Sequence, residues 1–439
     1  MPALTSGIFA RTLSVSTSTA EESRSQWRNP SDILSLLLLV GGEVIQQSIA
    51  QLSGHPSLPT PVVFSFGWVA YTFKALLSAA GDNRLMPPAP DLQSVVINAP
   101  HGHVRTNQSW VLGRLLRDYE HCWMPEPVKR ELEAMLKRAQ SPKAGLCIAI
   151  FEADPKREAG RPVSDWLIVT GYVVAVLQIA IAAVPWIVWG EWEIFAITVC
   201  GTVLAFSTAS LPQWRSERYA CRRNSTGTVV LTRGNGAQHA IVIQGNGCGL
   251  NLEDLAGATG GGLKSLITRT AIAVLSCLWV GLLITVSGIK EKTWFAVAVG
   301  AIGMLFSIVV AGAPRKPEAF GVPLVYKAVC VESRTMETLK KVEGLYPGVG
   351  RSMTATFFPG GLRDADAKWW AKSKKAVKAA EREKRSEMRW RQNGDAVPKQ
   401  RNLSVDGLKR GSGPNGSTND QNLLESATHK TELANNEYS

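Results

Sequence analysis

The chain has no Gly-x-Ser-x-Gly elbow, no His-Glu-x-x-His pair, no P-loop lysine and no paired acids within an apolar segment. Each absence removes support for a chemistry that needs those residues at those spacings: the serine nucleophile, helical zinc hydrolysis, the phosphate-cradling loop. Cysteine is scarce. The seven, Cys122, Cys147, Cys200, Cys221, Cys248, Cys277 and Cys330, are odd in number and lack Cys-x-x-Cys or zinc spacing. Reduced thiols are expected, with no disulfide framework, no metal and no cofactor. A basic stretch leading into an apolar core is also missing at the start, so no cleavable signal peptide is expected. Residues 1–20 lack acids, carry Arg11 and are rich in Ser and Thr, a faint likeness to a mitochondrial presequence. No internal repeat is visible.

What is present is unevenly spread. The 439 residues are 45% hydrophobic with a formal charge of +12, and a mean hydropathy of +0.01 would suit a soluble protein. The apolar residues, however, are gathered in blocks. About 20 apolar residues cross a bilayer, and six segments approach that length: 33–52, 62–81, 166–189, 193–211, 266–288 and 294–313. Trp166, Trp186, Trp189, Trp192, Trp214 and Trp294 fall near their ends, where amphipathic rings prefer to sit. The fold class expected is an all-α polytopic membrane bundle of about six transmembrane helices with a small discontinuous α+β cytosolic domain.

Orientation follows from Lys and Arg beside the spans. Segment 82–165 holds twelve and segment 212–265 holds six, while the alternate loops hold none, none and two. The informative charges flank spans directly: Arg161, Arg215, Arg218, Arg315 and Lys316. Both termini and both long loops are thus expected in the cytosol. Basic residues beside apolar blocks suit an anionic leaflet as partner and give no reason to invoke nucleic acid.

The division expected is a polar segment 1–32, hairpins 33–81, 166–211 and 266–313, cytosolic pieces 82–165, 212–265 and 314–363, a basic helix 364–392 and a disordered tail 393–439. Within the cytosolic pieces, Leu112, Leu115, Leu116, Tyr119 and Trp123 recur at helical spacing, with Arg114, Arg117, Asp118 and His121 off that face. A second helix is expected over 125–139. Strands are expected over 147–151, 228–232, 240–244 and 325–331, the middle two joined by a hairpin turn at Arg233-Gly-Asn-Gly-Ala.

Three features invite function. Glu43 and Lys74 lie inside expected spans, where an ionisable group costs about 2.5–3.5 kcal/mol at the helix centre. They read as an ion pair holding the first hairpin or, with Gly41, Gly42, Gln46 and Gln47, as an ion or polar-solute site; failure of the first span to cross is the third reading. Gly245-Asn-Gly-Cys-Gly follows a strand, but its third glycine arrives one residue too early for a dinucleotide fingerprint, so a tight turn is expected. His101, His103, His121 and Cys122 have metal-capable atoms without regular ligand spacing. In the tail, Lys368, Lys372, Lys375, Lys378, Arg382, Arg385 and Arg389 recur every three or four residues, with Trp369 and Trp390 near the ends. They are candidate headgroup contacts of a helix lying on the anionic leaflet; a solvated charged helix is the plain alternative. Sequons at Asn107, Asn224, Asn402 and Asn415 should face the cytosol unused.

Several stretches, Ser65-Phe-Gly-Trp-Val-Ala-Tyr71, Arg105 to Trp110 and on through Arg117, Leu211-Pro-Gln-Trp-Arg215 and Thr232 through Leu250, resemble a group of uncharacterised multi-pass membrane proteins of filamentous fungi. The likeness covers roughly residues 30–335 and carries no activity or site residue with it. It implies a fungal source and allows an accessory role in a specialised-metabolite pathway. The leading expectation is a non-enzymatic organiser of partners or lipids at the cytosolic leaflet, with a transporter or channel-like protein around Glu43 as the second reading and a membrane enzyme whose site is hidden in the cytosolic domain as the third.

Overall fold

The computed structural model describes residues 41–373, apart from 56–58, 82–83, 90–92, 140–144, 258–265 and 290. The elements run α1 (Gly42–Leu52), α2 (Trp68–Ala80), β1 (Val95–Asn98), β2 (Val104–Thr106), α3 (Trp110–Asp118), a π-turn Tyr119–Trp123, α4 (Glu126–Ala139) and β3 (Leu146–Ala153). Then come α5 (Trp166–Trp189), α6 (Glu193–Ala209), α7 (Pro212–Arg218), β4 (Thr228–Thr232), β5 (His239–Gln244), α8 (Leu252–Gly257), α9 (Leu266–Ser287) and α10 (Thr293–Gly312). A 3-10 turn Pro317–Phe320, β6 (Leu324–Glu332), α11 (Thr335–Leu345) and α12 (Val349–Phe357) complete the order.

Four helices among the described residues are long and apolar enough to cross a membrane: α5, α6 with its continuation into α7, α9 and α10. Their outward side chains are apolar and bare, with Val173, Ile187, Val203, Ile284 and Leu305 each more than half exposed. Such a surface needs a lipid or protein cover. Trp166 at one end and Trp189, Trp192 and Trp294 at the other are exposed as well, placed as interfacial belts would be.

Among the described residues four helices, where six were expected, are thus long and apolar enough to cross. Of segment 33–52, residues 33–40 lie outside the described residues, and the remainder forms the eleven-residue α1. Segment 62–81 is not one helix. Residues 61–65 form neither helix nor strand, and α2 starts only after Gly67, whose φ of 95° is left-handed. Thirteen residues reach about 20 Å, short of a ~30 Å hydrocarbon core.

This non-helical strip runs through the middle of the bundle, where an unsatisfied backbone group would cost several kcal/mol. Side chains of the surrounding helices supply the partners. The Tyr172 hydroxyl donates to Pro59 O (2.6 Å), the Trp68 indole to Val63 O (3.0 Å) and the Gln178 amide to Phe64 O (2.7 Å), while Thr60 N donates to Ser210 Oγ (2.9 Å). Space comes from glycines: Gly171 faces Pro61, Gly201 faces the Phe64 ring, Gly300 the Phe66 ring and Gly303 the Phe64 carbonyl. From α9, Trp279 stacks on Trp68 with centroids 5.1 Å apart and planes 6° apart. All four long helices thus grip the strip.

The six strands form one mixed sheet in the order β2-β1-β4-β5-β3-β6. Only β3 and β5 pair in parallel; β4 and β5 form the antiparallel hairpin expected around Arg233. The strands come from chain before α5, between α6 and α9, and after α10, so these three segments meet on one side of the bundle. One sheet face packs on α11 and α12, with Ile148, Val242, Cys330 and Leu339 in its core. The opposite face, with Cys147, Phe151 and Ile241, belongs to the cluster that continues into the bundle.

Candidate functional site

Between sheet and bundle lies a layer of buried arginines. Helices α1 and α10 both end there, and a helix end leaves four carbonyls without intrahelical partners and a partial negative charge. Arg218, the last residue of α7, sends Nη1 to the carbonyls of Ala50 and Ser53, the latter at 2.8 Å. Arg114 on α3 reaches Ala311 O (3.0 Å) and Ala313 O (2.7 Å), and Arg117 reaches Gly312 O (2.9 Å). Arg315 comes just after α10 and works in four directions. It donates from Nη1 to Gln51 O, from Nε to Asp165 Oδ2 (2.6 Å) and from its backbone N–H to Asp118 Oδ2 (3.0 Å), and its guanidinium lies 5.8 Å from the Phe320 ring. Arg218 lies 5.7 Å from the same ring.

Arg114, Arg218 and Arg315 are each at most 2% exposed, and Asp118 is 1% exposed. Asp118 sits 3.6 Å from Arg114 four residues earlier on α3. Burial pulls Arg114 down to about 10, against the charge of Asp118; burial likewise raises the Asp118 carboxyl, opposed by Arg114 and the Arg315 N–H. Both charged forms are costly here and hold each other. This corrects the expectation that Arg114 and Asp118 lie off the buried face. Their four-residue spacing was the visible signal, since it places acid and base side by side on a helix.

A cavity of about 400 Å³ flanks the junction where α5 starts and α10 ends, lined by Arg157, Ser164, Asp165, Trp166, Arg315 and Lys316 among others. Asp165 caps α5, its carboxylate accepting from Ile168 N (3.4 Å) while also holding Arg315. The cap therefore links the entry of one long helix to the exit of another.

The residues singled out in the sequence scatter differently. Glu43 Oε1 and Lys74 Nζ are 3.4 Å apart, but their side chains are 82% and 40% exposed on the outer side of α1 and α2 rather than buried between them. Gln46 turns inward and donates to Leu85 O (2.7 Å), and Gln47 is exposed. Gly245 to Gly249 forms a tight turn: Asn246 and Gly247 have φ of 46° and 76°, and Gly249 N donates to Gly245 O at 2.8 Å. His101 and His103 have ring centroids 6.2 Å apart, and His121 lies on the π-turn. Burial pushes the Cys147 thiol up to about 12 and raises Cys330.

In the tail, residues 364–373 are helical, with Lys368 and Lys372 exposed. Trp370 is buried against α11, its indole donating to Met336 Sδ (3.4 Å), and Lys340 lies 5.4 Å from the Trp369 ring. Those tryptophans rest on protein, on the sheet face turned away from the bundle core. Lys375, Lys378, Arg382, Arg385, Arg389 and Trp390 lie outside the described residues, as do Asn402 and Asn415.

Comparison with known proteins finds no relative: no family model matches the chain, and no curated protein and no solved structure matches it.

Proposed function

We propose that this protein is a non-enzymatic membrane platform that organises lipids or protein partners at the cytosolic leaflet. The arginine junction carries this reading. Burying a guanidinium costs several kcal/mol and is offset only where acceptors are held in place, and three such groups sit between bundle and sheet. A joint of that kind holds the sheet in a fixed pose against the four apolar helices, which a domain swinging on a tether does not need. The basic residues flanking α5, α6 and α10 on the sheet side, Arg161, Arg215 and Lys316, favour the cytosol for that side. An accessory role in a fungal specialised-metabolite pathway fits the same reading, because a platform needs no chemistry of its own.

One observation favours a transporter instead. Helices α1 and α2 start at left-handed glycines, Gly41 and Gly67, and carry the Glu43–Lys74 pair; short helices that end inside a bundle hold ions and substrates in transporters.

Reporter tags at residues 1 and 439, and protease cleavage near Arg130, should all register on the cytosolic side. Glycan on native Asn107 or Asn224 would reverse the orientation and remove the platform from that leaflet. Cation or solute flux across proteoliposomes that disappears when Glu43→Gln is combined with Lys74→Gln would select the transporter. A folded double variant, with no flux from either protein, is the platform's expected result.

A further inference from the structure

Beside the cavity at the start of α5 lies a buried guanidinium that the fold leaves partly unpartnered. Arg315 is 2% exposed and lines it, yet its Nη2 has no hydrogen-bond partner among the described residues. Leaving a buried charged donor unmade is costly, and the fold satisfies the other two nitrogens of the same guanidinium. Lys316, the next residue, is exposed and forms no ion pair among the described residues. Arg157 is held only at 3.9 Å by Asp154 and 4.0 Å by Glu318.

The acids on the same wall do not cancel these cations. Asp165 is committed to Arg315 Nε and to capping α5, and Glu318 is shared with Arg157. Three cations and two acids line the cavity, with Asp154 behind Arg157, which leaves Lys316 as the cation without an acid, and the positive end of the 24-residue α5 adds to the balance. The rim is of another character. Val163 and Trp166 also line the cavity and are 45% and 58% exposed, at the level where the apolar helix begins.

We propose that this cavity binds a phosphate group. Lys316 and Arg157 close on the phosphate oxygens, Arg315 adds its charge from beneath, and Trp166 packs against the apolar part of whatever carries the phosphate. The phosphate can come from an anionic lipid headgroup, which the rim favours, or from a soluble phosphoester. Only the lipid source rests on the membrane reading above.

Cys122 reports the site, since its thiol lines the same cavity and is exposed. Burial and the nearby Asp118 raise its pKa, so labelling is best run at about pH 8.5. Full-length protein is treated with a maleimide, and modification is followed peptide by peptide, with Cys221 and Cys248 as internal references. One arm uses phosphatidylcholine nanodiscs with or without phosphatidic acid; the other uses detergent micelles with or without glycerol 3-phosphate, so it does not depend on a bilayer. Selective slowing at Cys122 is expected. Lys316→Ala and Arg157→Ala, both outside the buried junction, should keep the melting temperature and each raise the ligand needed for protection about fivefold. Protection by phosphatidic acid alone assigns the lipid, and protection by glycerol 3-phosphate assigns a soluble phosphoester. Absence of protection in both arms, or protection that both variants leave unchanged, overturns the site.

Discussion

Gly303→Ala is expected to destabilise the protein by about 3 kcal/mol or more, while Gly281→Ala, at a position that faces no neighbour, stays within about 1 kcal/mol of wild type. A β-carbon at Gly303 would collide with the Phe64 carbonyl oxygen and crowd both the Gln178 amide and Ser65, whereas one at Gly281 meets nothing within 4 Å. The obstacle at Gly303 is backbone, and that backbone is fixed on both sides. Phe64 O accepts from Gln178 at 2.7 Å, Gln178 also donates to Val299 O at 2.8 Å, and the Phe64 ring lies over Gly201. Relief would require moving the whole strip. Melting of the two variants in detergent, together with size-exclusion chromatography, gives the comparison; equal midpoints would show that the strip does not pack against α10.

Arg218→Met should be comparably damaging, at about 3–5 kcal/mol, because removing one partner from a buried charged contact strands the other groups. The stranded groups are the carbonyls closing α1 at Ala50 and Ser53, beside a side chain 1% exposed, while Gln51 O keeps Arg315. Methionine fills the volume beside Tyr219 and Phe320 but donates nothing. Arg218→Lys should recover part of the loss, since an ammonium keeps the charge without the planar fork. Arg117→Ala is the contrast: that side chain is 35% exposed, with one hydrogen bond, to Gly312 O, and a 3.9 Å ion pair to Asp118, and its loss should cost about 1 kcal/mol. If Arg218→Met melts with Arg117→Ala, the junction does not hold α1.

The two variants probe features that the sequence displayed very unequally. Residues 166–189 read as a helix with tryptophan at both ends, and α5 has those bounds. The strand over 228–232 and the hairpin after it arise from a β-branched run and a Gly-Asn-Gly turn, both local signals. By contrast β1 and β2, of four and three residues, were not legible: β2 is wholly exposed and has no alternation to detect. Arg215, Arg218, Arg315 and Lys316 were visible as charges beside spans, which is a statement about orientation. That Arg218 and Arg315 are buried and together close the end of α1 depends on where that end lies in space.

What the sequence determined by itself is the four long apolar helices and the short apolar strands β3 to β6, because both arise from composition and length within a few consecutive turns or residues. The path of residues 59–67 was decided only by tertiary structure. Hydropathy registers that Pro61 to Ala80 is apolar, and Pro59, Pro61 and Gly67 warn against a continuous helix, but none of this provides partners for a non-helical backbone inside an apolar bundle. Those partners are mostly remote, Tyr172 and Gln178 on α5 and Ser210 after α6, each more than a hundred residues along the chain. A helix satisfies its backbone within itself, whereas this strip depends on side chains that reach it only once the four long helices have packed around it.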